Sequence, residues 1–285
     1  MHPSLIPPRQ VTIGDAASFV GTTPGAIRHY HETGLLPDPE RGSDDRRRYG
    51  YDQVIRLLWI RTMTDAGIGL DDIRDIFADT TPAGAVSHRD VAVLLRMRTP
   101  AGRMDLLSDF VTSRLKNLSE GSLRQTDLDN LLVMERIFSP LGAAINAARY
   151  IALATHPGLR EESDRVEAAE EALDDTIAVD DARVAQVAAE RHAFEQALNA
   201  VIEDSGLAED DDAIFDSWDA LHPAPADEGE NEAGQGSGTG QESMSVIQAI
   251  GKMPYDYSPA RVRCVELAEE LAASVAVSRP TCVEH

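Results

Sequence analysis

Cysteine is nearly missing from this 285-residue chain: there are two, Cys264 and Cys282, both close to its end. That excludes a disulfide framework and fits a cytoplasmic protein. They stand 18 residues apart, so a buried thiol and a tail thiol are expected rather than a metal or redox pair. Aromatic residues make up only 5%, whereas alanine abounds, which favours helices. No apolar run approaches the roughly 18–20 residues of a membrane span, so no membrane partner is expected. The opening "MHPSLIPPRQ" lacks the basic-then-apolar order of a signal peptide, and residues 1–10 are expected to be flexible. No nucleophile–base set and no metal-ligand spacing occur, so catalytic residues, bound metals, cofactors and enzyme activity are not expected. The "GSGTG" of residues 236–240 follows no strand and reads as linker rather than phosphate loop.

Positive charge is scarce too, with 26 Lys and Arg against 49 Asp and Glu and a formal charge of −23. It is not scarce everywhere. Residues 1–150 hold 18 basic against 19 acidic residues, and residues 151–285 hold 8 against 30. The acidity therefore belongs to the C-terminal half, and an N-terminal nucleic-acid site is not excluded. There the run Arg46, Arg47 and Arg48, followed by Arg56 and Arg61, makes a concentrated basic spot.

Local signals are dense in the first 80 residues. Thr12 is placed to cap a helix with Ile13, Ala16, Ala17 and Val20 inside, and Gly21 to end it. Thr23 caps a second helix, Pro24 suits its first position, Ile27 points inward and Gly34 stops it. Two short helices joined by a tight turn read as helix-turn-helix. The stretch 37–51 is rich in Pro, Gly and Asp with a β-leaning end and reads as a hairpin-like wing. A third helix follows with Val54, Leu57 and Leu58 inside, then a break at Gly67–Gly69 and a fourth short helix with Leu70, Ile73 and Phe77 inside.

The segments "TIGDAASFVG", "AIRHYHETGLLP", "RRRYGYDQVIRLLWI" and "DAGIGLDDIRDIF", in that order and spacing, resemble the DNA-binding domain of the MerR family of bacterial transcription regulators over residues 11–78. The resemblance implies a homodimer on an inverted-repeat promoter operator, joined by a long antiparallel helix pair. It also implies a recognition helix in the major groove, here Thr23–Thr33, and distortion of an overlong promoter spacer for RNA polymerase. Arg28 and Tyr30 match the family's arginine and tyrosine on that helix, and Arg47 and Tyr49 those of the wing. This chain departs from the pattern in having His29, His31 and Gly69 where tyrosine, glutamate and serine are usual. The expected DNA-contacting set is Thr22, Thr23, Arg28, His29, Tyr30, Arg46, Arg47, Arg48, Tyr49 and Arg61, with both histidines at the groove edge or surface. Thr-Pro-Gly-Ala at the start of the helix offers no bidentate reader of a base edge, so specificity is expected to rest on DNA shape and half-site geometry.

The chain is thus expected to be mainly α: a winged helix-turn-helix domain (11–80), a linker and dimerisation helix region (81–119), a helical effector domain (120–222), a disordered linker (223–243) and C-terminal helices (244–285). The dimer helix is placed within 102–119, where Leu107, Phe110, Val111, Leu115 and Leu118 repeat at helical spacing, with 88–98 as a possible extension. Effector helices are read at 127–138, 141–154, after Pro157, at 180–203 and at 258–277. A small-molecule effector, hydrophobic or cationic, is expected at a pocket that combines carboxylates with some of the rings Tyr150, Phe194, Phe215, Trp218, Tyr255 and Tyr257. Two other readings stay open. The acidic half can bind a protein partner, or the chain can be an architectural, excisionase-like DNA-binding factor, although its length after residue 80 counts against the latter.

Overall fold

A computed structural model describes residues 7–39, 42, 46–78, 96–207, 209–221 and 246–277. The first helix, α1 (Ile13–Val20), opens where Thr12 accepts a hydrogen bond from the Asp15 N–H, and Gly21 closes it in the left-handed region at φ 80°. A tight turn leads to α2 (Pro24–Glu32), capped by Thr23, with Gly34 at φ 70° beyond its end. These are the two positions where the absence of a side chain permits the turn. α3 (Tyr51–Asp65) and α4 (Leu70–Ala78) complete the unit over a core of Phe19, Ile27, Leu35, Trp59, Met63 and Ile73. The wing's described part pairs Tyr49 with Val11 through two backbone hydrogen bonds of 2.9 and 3.0 Å, and Gly42 N–H bonds to the Arg46 carbonyl at 2.9 Å.

The remainder is helical. Two short helices, α5 (Pro100–Met104) and α6 (Asp109–Leu115), precede a long one, α7 (Gln125–Thr155). α7 bends at Ser139, whose φ of 72° is unusual for a non-glycine residue, and Pro140 next to it donates no ladder bond. α8 (Pro157–Glu171), α9 (Ala182–Asp204), α10 (Glu209–Leu221), α11 (Val246–Ile250) and α12 (Pro259–Val277) follow. Among the described helices α7 alone is long and apolar enough to cross a membrane. It is a core helix here: Leu128, Leu131, Ala143, Ala144 and Ala147 are fully buried, and it carries Asp127, Asp129, Glu135 and Arg136.

Instead of standing apart, α7 lies against the winged helix of its own chain, and one continuous apolar core runs through both. Trp59 of α3 donates its indole N–H to Asp129 at 2.6 Å, Tyr51 donates to Asn130 at 3.2 Å, and Arg136 donates to the Phe19 carbonyl at the end of α1. Paired charges join the helices behind: Arg160 of α8 grips Asp127 with two 2.8 Å bonds, and Arg191 of α9 holds buried Glu170 at 2.6 Å. Ser258 caps α12 by accepting from the Arg261 N–H at 3.0 Å, as its place before Pro259 leads one to expect. The segment between α11 and α12 returns to the front of the molecule, where the Tyr255 N–H bonds to the Pro8 carbonyl at 2.9 Å and Lys252 to Ser18 at 2.7 Å.

Several expectations need correction. The stretch 102–119 is not one dimerisation helix. It breaks between Asp105 and Ser108, and Leu107, Val111 and Leu115 are buried against α7 of the same chain. The apolar spacing signals a helical face, yet spacing alone does not say whether a partner or the chain itself covers it. The N-terminus is not loose at Arg9, which grips Asp175 with bonds of 2.7 and 2.5 Å. The proposed extension at 88–95 and the linker at 223–243 lie outside the described residues.

Because Leu115 is fully buried in cis, Leu115→Ala should cost about 2–5 kcal/mol in urea unfolding without changing the sedimentation coefficient of the folded protein. A loss of association with little loss of stability would return this residue to a subunit seam.

Candidate nucleic-acid interface

α2, the expected recognition helix, presents one face to solvent and one to the core. Ile27 and Tyr30 hold it to the core, with 0% and 9% exposure, while Thr23, Arg28 and His29 are exposed and Thr22 is half-buried. Arg28 makes no ion pair among the described residues. His29 sits 3.9 Å from Glu32 on the same exposed face.

The wing is fastened to that helix by His31. Its side chain is only 3% exposed, with Nδ1 3.1 Å from the Leu36 carbonyl and Nε2 3.0 Å from the Tyr49 hydroxyl. The neutral tautomer with the proton on Nδ1 satisfies both: it donates to Leu36 and accepts from Tyr49. Burial holds the imidazole below its ordinary value, and neighbouring Arg47 acts in the same direction. Leu35 and Leu36 are held in turn by the Tyr30 carbonyl, and Arg56 donates to the Leu35 carbonyl at 2.9 Å while lying over the Phe77 ring. Tyr49 is fully buried, and both Arg28 of the helix and Arg47 of the wing act on its hydroxyl electrostatically. Arg47 is partly exposed and bonds Asp38 at 3.2 Å, Arg46 is exposed, and Arg48 is half-buried at the wing's base.

The expected contact set therefore divides. Thr22, Thr23, Arg28, His29, Arg46, Arg47 and Arg48 lie along α2 and the wing with accessible surface. Tyr30 and Tyr49 do not: both are in the core, where they brace the surface and do not form it. His31 is likewise an internal tie instead of a surface group. Arg61 bonds Asp65 at 2.6 Å and the Gly21 carbonyl, which makes it a tie between α3 and the α1–α2 turn. Sequence reasoning missed the His31–Tyr49 bond because the two residues are far apart along the chain and each looks like a surface polar group.

Residues 11–80 match the model of the MerR HTH family regulatory proteins. This segment is a MerR-type helix-turn-helix domain. The chain is 32% identical over 123 residues to the nodulation protein NolA of Bradyrhizobium elkanii, covering 43% of this chain and 53% of that one. It is 35% identical over 66 residues to the mercuric resistance operon regulatory protein of Serratia marcescens, 23% of this chain and 46% of that one. With the HTH-type transcriptional regulator HmrR of Sinorhizobium medicae it shares 28% identity over 109 residues, 38% and 74% of the two chains. The chain spans about half the length of the first curated relatives it matches. No solved structure matches it.

Four of the aromatic residues expected to line an effector pocket, Tyr150, Phe194, Phe215 and Trp218, do not converge. Tyr150 is buried in the main core, its hydroxyl pushed up to about 12 by burial, and Phe194 sits in a separate cluster with Val166 and Leu198. Trp218 of α10 packs on Phe110 at 5.2 Å between ring centres, and Phe215 is exposed. Helical periodicity places rings on faces but does not say which faces share a cavity. Cys264 is buried, and burial pushes its thiol up to about 11, consistent with an inert packing role. Cys282 lies outside the described residues. Among the described residues no three His, Cys, Asp or Glu side chains gather as a metal site.

The lowered imidazole of His31 sets a pH dependence. Its contribution to stability is complete above the ordinary value of 6.5 and is lost as pH falls from there through the lowered folded value. The melting temperature of wild type should therefore fall between pH 7.5 and 5.5 by more than that of His31→Gln, which carries no titrating group. Parallel curves would remove His31 from the account.

Proposed function

We propose that the chain is a transcription regulator that binds an inverted-repeat promoter operator as a homodimer, distorts the DNA for RNA polymerase and answers to a small hydrophobic or cationic effector. The observation that carries the reading is the His31–Tyr49 bond, which sets recognition helix and wing side by side with Arg28 and Arg47 about one buried hydroxyl. Two arginines from two elements fit two phosphates of one backbone, which fixes register without reading sequence. Specificity then comes from DNA deformation and from the spacing of two half-sites, and this is the support for distortion and for a dimer. With 107–115 covered in cis, the dimer seam belongs to another surface. The acidic helical half keeps stray duplex away from everything but this face. A protein confined to a bacterial cytoplasm and its nucleoid fits these roles.

Binding to duplexes that carry a candidate operator, titrated across salt concentrations, tests the reading. Arg28→Ala and Arg47→Ala should each weaken binding to every duplex and reduce the slope of log K against log salt by about 0.9. Unchanged slopes with altered base preference would move these arginines from the backbone to the bases, and unchanged affinity would sink the interface.

A further inference from the structure

At the junction of the helical half with the winged helix lies a cleft of about 940 Å³. Its front edge is the wing's base and the start of α3, with Arg48, Tyr51 and Asp52. Its back is Asp129 and Asn130 of α7 and Glu167 and Glu171 of α8, and its side is the segment carrying Tyr255 and Tyr257. Three rings run along it in sequence, Tyr51 to Tyr255 at 5.1 Å and Tyr255 to Tyr257 at 5.2 Å between centres.

The lining holds five carboxylates and three arginines. All three arginines have partners. Arg9 is clamped on Asp175 and stands 3.7 Å from Asp256 of the lining, and Arg261 lies 4.5 Å over the Tyr257 ring with Glu170 at 3.6 Å. Asp52, Glu167 and Glu171 make no salt bridge among the described residues. Tyrosine faces under a surplus of carboxylate attract a cation with a flat apolar body, and a cleft of this size has room for a drug-sized molecule. An anion meets the same surplus as repulsion.

We infer that this cleft is the effector site, that it takes an organic cation with a planar aromatic body, and that its occupancy is transmitted to the wing. The site deepens the regulator reading and rests on it for its biological role. Transmission has a short route. Tyr51 and Asp52 line the cleft and stand two and three residues after Tyr49, the residue that fastens the wing to the recognition helix. Asp129, on the opposite wall, is the acceptor of the Trp59 indole within the same α3. A ligand between these walls presses on both ends of the contact between the two halves.

The test uses the full chain and two probes with one ring system and opposite charge, (1-naphthylmethyl)trimethylammonium and 1-naphthaleneacetate. Calorimetry should show one saturable site per chain for the cation and affinity at least about tenfold weaker for the anion. Glu167→Gln combined with Glu171→Gln, both exposed and so without consequence for folding, should weaken the cation about tenfold. Tyr255→Leu keeps apolar bulk, removes the π face and should weaken it about fivefold. Equal binding of both probes, or full affinity in the glutamine variant, overturns the site. With the cation saturating, the dissociation constant for operator duplex should shift at least about fivefold, and no shift overturns the transmission. A chain that takes the cation with these mutational effects yet binds no duplex supports the cleft and refutes the DNA reading instead.

Discussion

Trp59 must find a hydrogen-bond acceptor in the middle of a protein. It is 1% exposed, at the centre of the third helix of the DNA-binding unit, and an unsatisfied indole N–H there would cost about 1–3 kcal/mol. Asp129 meets it from α7 at 2.6 Å, although burial raises that carboxyl above its ordinary value, and Gln125 adds a second 2.6 Å bond to the same oxygen. Arg103 passes near the Trp59 and Phe77 rings and gives the buried charge a counterpart. This small polar set, in an otherwise apolar contact, fixes where α7 crosses α3. From it follow the common core of the two halves, the covering of 107–115 within the chain, and the cleft that opens beside it.

The same division of labour appears at the DNA face. Residues that look like contacts by type turn out to be of two kinds, those that meet solvent and those that hold the first kind in place. Tyr30, Tyr49, His31, Arg56 and Arg61 form the second kind, each joining α2, the wing or the α1–α2 turn to the body. The arrangement keeps the surface basic while the rest of the chain is acidic. Positive charge that braces the fold is matched by carbonyls and aspartates, and Arg28, which would meet phosphate, has no such match among the described residues.

The first four helices were legible because their boundaries are written locally. A hydroxyl, a proline at the first turn and a glycine just past the last act within a few residues of one another, and each was found where it acts. The two halves of α7 and the capped start of α12 were readable for the same reason. What failed was everything that needed to know who faces whom. The apolar stripe of 102–119 was real, but it packs on α7. Of the rings expected at a pocket, Tyr150, Phe194, Phe215 and Trp218 are scattered, while Tyr255 and Tyr257 do share a cleft, with Tyr51 as the ring not foreseen. Their meeting depends on the return of the chain after α11, for which no short-range signal exists.

That return has a consequence for how the protein is made. The winged helix closes on contacts within its own stretch of sequence, apart from those it receives from α7, and a nascent chain can form it early. The cleft cannot exist until Tyr255 and Tyr257 have left the ribosome and Tyr255 has bonded to the Pro8 carbonyl. A product stopped before residue 250 would keep α2 and the wing and lack the side of the cleft that Tyr255 and Tyr257 form. Synthesis thus delivers the winged helix first and completes the cleft last, so truncation of the C-terminal segment spares the one and removes a side of the other.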